Sequence, residues 1–209
     1  MTDIHRLERL LRKLRLTRIA SEWHSQEKRA LAEGWTPSRY LLSLCSEEAT
    51  GWVDSGENVL LFGASDLGKS HLAAALVDGV VSQGYRVRFY SAGELLQGLR
   101  KARSLLRLNE VLLKLARYRV IVIDDLGYVK RDNAKTGVLF ELIAHRYERG
   151  SLIITSNHTF RTWGNIFVDE TMAVTAADRL IHHGYIFEVT GESYRKKMSK
   201  AAIQQSAKQ

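Results

Sequence analysis

The chain of 209 residues has one cysteine, Cys45, and one proline, Pro37. A lone thiol excludes an intramolecular disulfide framework and a cysteine-rich zinc site. No apolar run approaches the roughly 20 residues needed to cross a bilayer. The opening residues Met1 to Arg6 lack the apolar core of a signal peptide. The expectation is a cytoplasmic protein without a membrane partner. Acidic residues are also short, 23 Asp+Glu against 31 Lys+Arg, for a net charge of +8. With 45% hydrophobic and 26% charged residues, the composition is that of a globular protein and argues against extensive disorder.

The positive charge gathers in blocks. Residues 1–20 balance at +4, residues 86–119 at +7 with nine basic side chains, and the tail from Gly191 onward at +4. Blocks of this kind neutralise phosphates, so a polyanion such as nucleic acid is one expected partner; solvated helix faces are the plainer alternative.

Ile4, Leu7, Leu10, Leu11, Leu14 and Leu16 lie near a helical stripe, and a second helix is expected from Thr36-Pro37, with Tyr40, Leu41, Leu44 and Cys45 as its apolar side. Residues 1–50 thus read as a small helical unit with Thr50 to Gly56 as its exit. Short apolar runs then alternate with helical periods. Val59–Phe62, Arg86–Tyr90, Val120–Ile123, Leu152–Thr155 and Tyr185–Val189 read as strands. Between them are expected a helix ending at Gly84, helical segments over 92–116, a helix over 133–149 closed by Gly150 as a left-handed C-cap, and one over 171–183. This pattern predicts an α/β three-layer sandwich around a mostly parallel five-stranded sheet.

The strongest local signal is Gly63-Ala64-Ser65-Asp66-Leu67-Gly68-Lys69-Ser70, which satisfies G-x-x-x-x-G-K-[ST] between a buried strand and an amphipathic helix. Glycines let successive N–H groups face one anion, and the helix adds its positive end. Lys69 is expected at the β- and γ-phosphates and Ser70 at Mg²⁺. His71 closes the segment expected at the cofactor, and reads as a packing or surface residue rather than a base. Asp66 runs against the pattern, because a carboxylate in a polyanion-binding loop weakens binding.

Two more strands end in polar residues. After Ile123 come Asp124, expected on the metal side, and Asp125, expected to orient or deprotonate an attacking water. After Ile154 come Thr155, Ser156 and Asn157. If this strand lies between the other two, Asn157 reaches the γ-phosphate or its water. Turn formation is the competing reading for both the acids and Asn157.

These residues resemble AAA+ P-loop ATPases of the IstB and DnaC type, most strongly the IstB-like transposition helper proteins. The likeness rests on Gly56 to Gly63, Asp124 to Tyr128, Thr155-Ser156-Asn157, Trp163-Gly164, Ala177 to Leu180 and Gly191 to Arg195. It implies an AAA+/ASCE core over residues 51–197, an N-terminal unit for DNA or partners, and a basic tail over 198–209. It further implies Walker A residues Lys69 and Ser70, Walker B residues Asp124 and Asp125, sensor 1 at Asn157, and Arg179 as an arginine finger reaching a neighbouring subunit. ATP and Mg²⁺ are the implied cofactors. The implied partners are double-stranded DNA, a transposase of the same element, and further copies assembled on the DNA. An ion pair with Asp178 is the plain reading of Arg179. Two departures stand out. The basic segment that family members carry between the helical unit and the ATPase strand is missing after Glu47-Glu48, and Asp66 replaces a small residue; both raise the prospect of impaired hydrolysis.

The seven histidines offer no expected metal site, because the adjacent His182 and His183 diverge on a helix and H-E-x-x-H is absent. Trp23, Trp35, Trp52 and Trp163 are expected as core or junction anchors. Rival functions are a DnaC-like helicase loader, a non-catalytic DNA-binding scaffold with a degenerate ATPase core, and a small-molecule P-loop kinase.

Overall fold

The computed structural model describes residues 3–13, 16–128, 133–158, 167 and 169–190. Leu14, Trp163-Gly164, Gly191 to Arg195 and the tail over 198–209 lie outside the described residues. The chain divides into two compact units, Met1–Asp54 and Ser55–Gln209.

The first unit holds helices α1 (Asp3–Lys13), α2 (Thr17–Ala32) and α3 (Pro37–Asp54). Leu11, Ile19, Trp23 and Leu44 form its core, with Leu16, Ala20 and Tyr40 packed against them. The expected stripe is buried only in part: Ile4, Leu7 and Leu10 are exposed, as is Leu41. Helix α3 also runs through Gly51 instead of ending near Thr50. A Cβ at Gly51 would stand 2.5 Å from Cδ of Arg18, so the glycine makes room for the Arg18 stem against the helix.

The second unit is built on strands β1 (Asn58–Phe62), β2 (Val87–Ser91), β3 (Val120–Asp124), β4 (Ser151–Ser156) and β5 (Gly184–Glu188). They form one sheet in the order β2-β3-β4-β1-β5, and every pairing is parallel. The inner strands are apolar because both their faces are covered. Leu60, Phe62, Ile121, Ile123, Leu152 and Ile154 share a core with α5 (Ala92–Ser104), α6 (Leu108–Leu115), α7 (Asn133–Arg146) and α8 (Glu170–Ile181). Side chains alternate along a strand, so Val59, Leu61, Val122 and Ile153 point to the other face. Helix α4 (Lys69–Ser82) packs against β1, β2 and β4 and buries Ala73 and Val80.

Local chemistry sets the helix ends. Ser91 caps α5, its Oγ accepting from the Glu94 N–H at 3.3 Å and donating to Glu94 Oε2 at 3.0 Å, a cap worth about 1 kcal/mol. Asp169 caps α8 by accepting from the N–H groups of Thr171 and Met172. The helical segments expected over 92–116 are two helices, divided where Leu106 takes a φ of 56° and is 96% exposed. The Arg107 N–H then reaches back to the Ala102 carbonyl at 2.8 Å, closing α5 with satisfied carbonyls.

Gly150 is not the left-handed cap of α7. That helix ends at Arg146, and Glu148 takes the positive φ, 57°. A Cβ at Gly150 would lie 2.6 Å from Cζ of Arg146, whose guanidinium donates to the carbonyls of Tyr118 at 2.7 Å, Arg119 at 2.6 Å and Ser151 at 3.1 Å. Glycine at 150 is therefore there for space.

Candidate functional site

The C-terminal ends of β1, β4 and β3 lie side by side, with β4 in the middle. Register pairs Phe62 with Ser156 and Ile154 with Ile123, so the residues after each strand emerge at one sheet edge. Such an edge is where open parallel sheets bind ligands.

The phosphate-loop sequence leaves β1 at Gly63, whose N–H donates to the Ser156 carbonyl at 3.2 Å. Ala64, Ser65 and Asp66 are exposed, and Leu67 and Gly68 half-buried. Asp66 has a φ of 65° and Gly68 a φ of 86°, so the loop bends through two left-handed residues into α4. Aspartate tolerates that conformation better than most side chains. Helix α4 starts with no side-chain cap and no acid in its first turn. Its free N–H groups and positive dipole end therefore face outward, an arrangement that attracts an anion. Lys69 is buried, and its ammonium donates to the Ala64 carbonyl at 2.8 Å, folding over the loop. His71, one residue beyond Ser70, is exposed.

Across this loop lie the β3 acids. Ser70 Oγ donates to Asp124 Oδ1 at 3.0 Å, which joins the phosphate loop directly to the acid pair. Thr155, fully buried at the end of β4, donates its hydroxyl to the same Asp124 oxygen at 2.5 Å. The same hydroxyl accepts from the Asp125 N–H at 2.8 Å. Asp125 takes a φ of 60°. Burial, then the neighbouring Asp124 charge, pushes its pKa above the ordinary aspartate value, while Lys69 opposes the rise. Asn157 follows β4, and its Oδ1 is buried without a hydrogen-bond partner. An acceptor left open at this point is suited to receive a water proton. The room it occupies exists because residue 127 is glycine, since a Cβ there would collide with Asn157 Oδ1.

The structure thus gathers Gly63 to Ser70, Asp124, Asp125 and Asn157 at one edge, and leaves out Arg179. That residue lies in the last turn of α8, its guanidinium carbon 5.2 Å from the Phe140 ring centre. Helix α8 feeds β5 at Gly184, which pairs with Asn58 at the start of β1. Arg179 is therefore toward the opposite sheet edge from the phosphate loop of its own chain. Thr155 and Gly127 belong to the site although the sequence reading, which includes them in two of its motifs, gives neither a role. A hydroxyl at the end of a buried strand, one residue short of Ser156-Asn157, is the available signal for Thr155.

A phosphate loop, an acid pair on β3, and an inserted strand β4 between them define a P-loop ATPase fold of the AAA+ type. The model of the IstB-like ATP-binding proteins matches residues 33–202, and this chain belongs to that family. An insertion-sequence ATP-binding protein of Sinorhizobium fredii is 36% identical, covering 96% of this chain and 82% of its own length. That alignment is 245 positions long against 209 residues here, so the relative carries internal residues that this chain lacks. The insertion sequence IS21 ATP-binding protein of Pseudomonas aeruginosa is 39% identical over 72% of this chain, which spans 57% of that relative's length. Among solved structures, the DnaC helicase loader matches 72% of this chain and 90% of its own with a TM-score of 0.57 at 17% identity, a likeness of fold. Among the described residues no helix is long and apolar enough to cross a membrane.

Proposed function

We propose that this chain is an ATP-hydrolysing helper of insertion-sequence transposition that assembles on double-stranded DNA and assists the transposase of its own element. The observation that carries the ATPase part is the 3.0 Å hydrogen bond from Ser70 to Asp124, which brings the uncapped, lysine-bearing helix start and the β3 acids to one point.

In this reading the backbone N–H groups of residues 63–68 and the start of α4 hold the phosphates. Lys69 leaves the Ala64 carbonyl to meet the β- and γ-phosphate oxygens. Ser70 Oγ and Asp124 Oδ1 are hard oxygen donors at hydrogen-bonding distance, a set that fits Mg²⁺. The ion supplies charge neutralisation at the phosphates. Thr155 keeps Asp124 turned toward Ser70 and fixes the backbone of Asp125. Asp125 takes a proton from the attacking water, and the Asn157 carbonyl oxygen orients that water. Arg179 acts on the nucleotide of a neighbouring copy, which makes hydrolysis depend on assembly. The place of Arg179 in the last turn of α8 and the family's arginine-finger pattern support this role.

For DNA, the support is the basic block over residues 86–119, from just before β2 to just before β3. Arg86, Arg88, Arg100, Lys101, Arg103, Arg107, Lys114 and Arg117 are all exposed. Arg100, Lys101 and Arg103 line an open depression of about 520 Å³ with Gln97, Ser104 and Ala134. The helical unit of residues 1–50 and the tail over 198–209 extend this role to DNA or partner contact. The insertion-sequence names of the relatives favour the transposition helper over a helicase loader.

ATP turnover titrated with double-stranded DNA at two salt concentrations tests the reading, with Lys69→Ala as the inactive control. Stimulation by DNA that falls steeply as salt rises is the expected result. Turnover that ignores DNA at low salt removes the DNA-coupled part; no turnover beside intact ATP binding leaves the non-catalytic scaffold.

A further inference from the structure

The end of α7 and the end of α8 meet at three exposed side chains far from the phosphate loop: Glu148, His182 and His183. The expectation that the two histidines diverge fails at the end of α8, which stops at Ile181. His182, its C-cap, keeps helical dihedrals (φ −50°, ψ −38°), and His183 lies beyond the helix. Their rings meet edge to face with centres 4.2 Å apart. His183 Nε2 is 3.8 Å from Glu148 Oε1, and one ligand atom from each of the three residues lies within 4.8 Å of the others.

We propose that Glu148, His182 and His183 form a binding site for one divalent transition-metal ion of the Zn²⁺ kind. Two imidazoles and one carboxylate form an N₂O donor set that Zn²⁺ takes, with water left to complete a tetrahedron. Donors around such an ion stand about 3.4 Å apart, so the exposed side chains close on it by rotation, without backbone movement. Tyr147 prepares the set. Its hydroxyl is 3.1 Å from His182 Nδ1, and the tautomer that donates from Nδ1 leaves the Nε2 lone pair for metal. Tyr147 also hydrogen-bonds to the Glu148 carboxylate, so it touches two of the three ligands. The negative ends of two helix dipoles converge here, which favours a cation. Asp178 adds a negative charge near Tyr147, and Arg179 a positive one.

The site bridges the α7–β4 turn and the corner between α8 and β5. It uses no residue of the nucleotide site and does not depend on the ATPase reading. The probe is Zn²⁺ itself, titrated into the full chain against a chromophoric chelator with excess Mg²⁺ present to occupy the hard oxygen donors. Wild type should take up one Zn²⁺ per chain and melt at a higher temperature with the ion than without it. His182→Ala/His183→Ala should lose both the uptake and the thermal shift, and Glu148→Gln should weaken uptake roughly tenfold. The metal-free variants should melt with the wild type, since all three side chains are exposed. If the double variant does not fold, loss of affinity in Glu148→Gln carries the test. No stoichiometric uptake by wild type overturns the proposal, and so does uptake unchanged in the variants, because the five other histidines would then hold the ion.

Discussion

Asp125 combines a left-handed backbone with a carboxyl that holds its proton more tightly than usual. An acid whose folded-state pKa exceeds its unfolded one costs stability when ionised. That cost is present above the folded pKa and disappears as pH falls below the unfolded value. Asp125→Asn keeps a residue that accepts positive φ and removes the charge beside Asp124. Its thermal midpoint at neutral pH should equal or exceed that of the wild type, while ATP turnover falls by about 10²–10⁴ with binding retained. In the wild type, turnover should fall with acid at a pH above that of an ordinary aspartate, because the proposed base works only when ionised; a pH–rate profile checks this. At position 66 the reverse logic applies. Asp66→Gly keeps the φ of 65° accessible and removes a carboxylate beside the proposed phosphates, so nucleotide should bind about fivefold tighter by fluorescence titration. Lys69, Ser70, Asp124 and Asn157 were legible in the chain because each follows an apolar run in a short local pattern. The roles of Thr155 and Gly127 were not, since their importance is a hydroxyl aimed at another strand and an empty space kept for Asn157.

Among the elements, the five strands were readable from short apolar runs, an unbroken β-branched one in β3 and an alternating one in β2, and their ends agree to within a few residues. The helix ends were less readable, because they depend on what a side chain does beyond its own helix. Arg146 shows why. It is a charged residue in a helical period, apparently a surface position by composition, yet it is 3% exposed and donates to three carbonyls where β3, β4 and α7 converge. Burial lowers its pKa to about 10, so it remains charged at neutral pH. Arg146→Met leaves those carbonyls without donors and should cost on the order of 3 kcal/mol in urea unfolding. Arg146→Lys should recover little of the loss, since an ammonium does not span the three acceptors as a planar guanidinium does. The break at Leu106 was hidden for a related reason: leucine carries no turn signal, and the left-handed kink is held by the return hydrogen bond to Ala102.

For the molecule as a whole, the distance between Arg179 and its own phosphate loop makes subunit mixing informative. Lys69→Ala lacks the proposed phosphate contact, and Arg179→Ala lacks the proposed trans contact. Each alone should be inactive, and an equimolar mixture should regain about a quarter of wild-type turnover if copies meet head to tail. No recovery in assemblies that still bind ATP would assign Arg179 to its contact with Phe140 instead. The chain by itself determined the order of strands and helices, the phosphate loop, the acid pair and the excess of positive charge, because each is written in neighbouring residues or in composition. Only the tertiary structure decided that β4 lies between β1 and β3, that Thr155 links the two acids, that Arg179 packs against Phe140, and that His182 and His183 meet Glu148. Those facts depend on hydrogen bonding and close packing between segments roughly 30 or more residues apart, and no local pattern encodes which of them become neighbours.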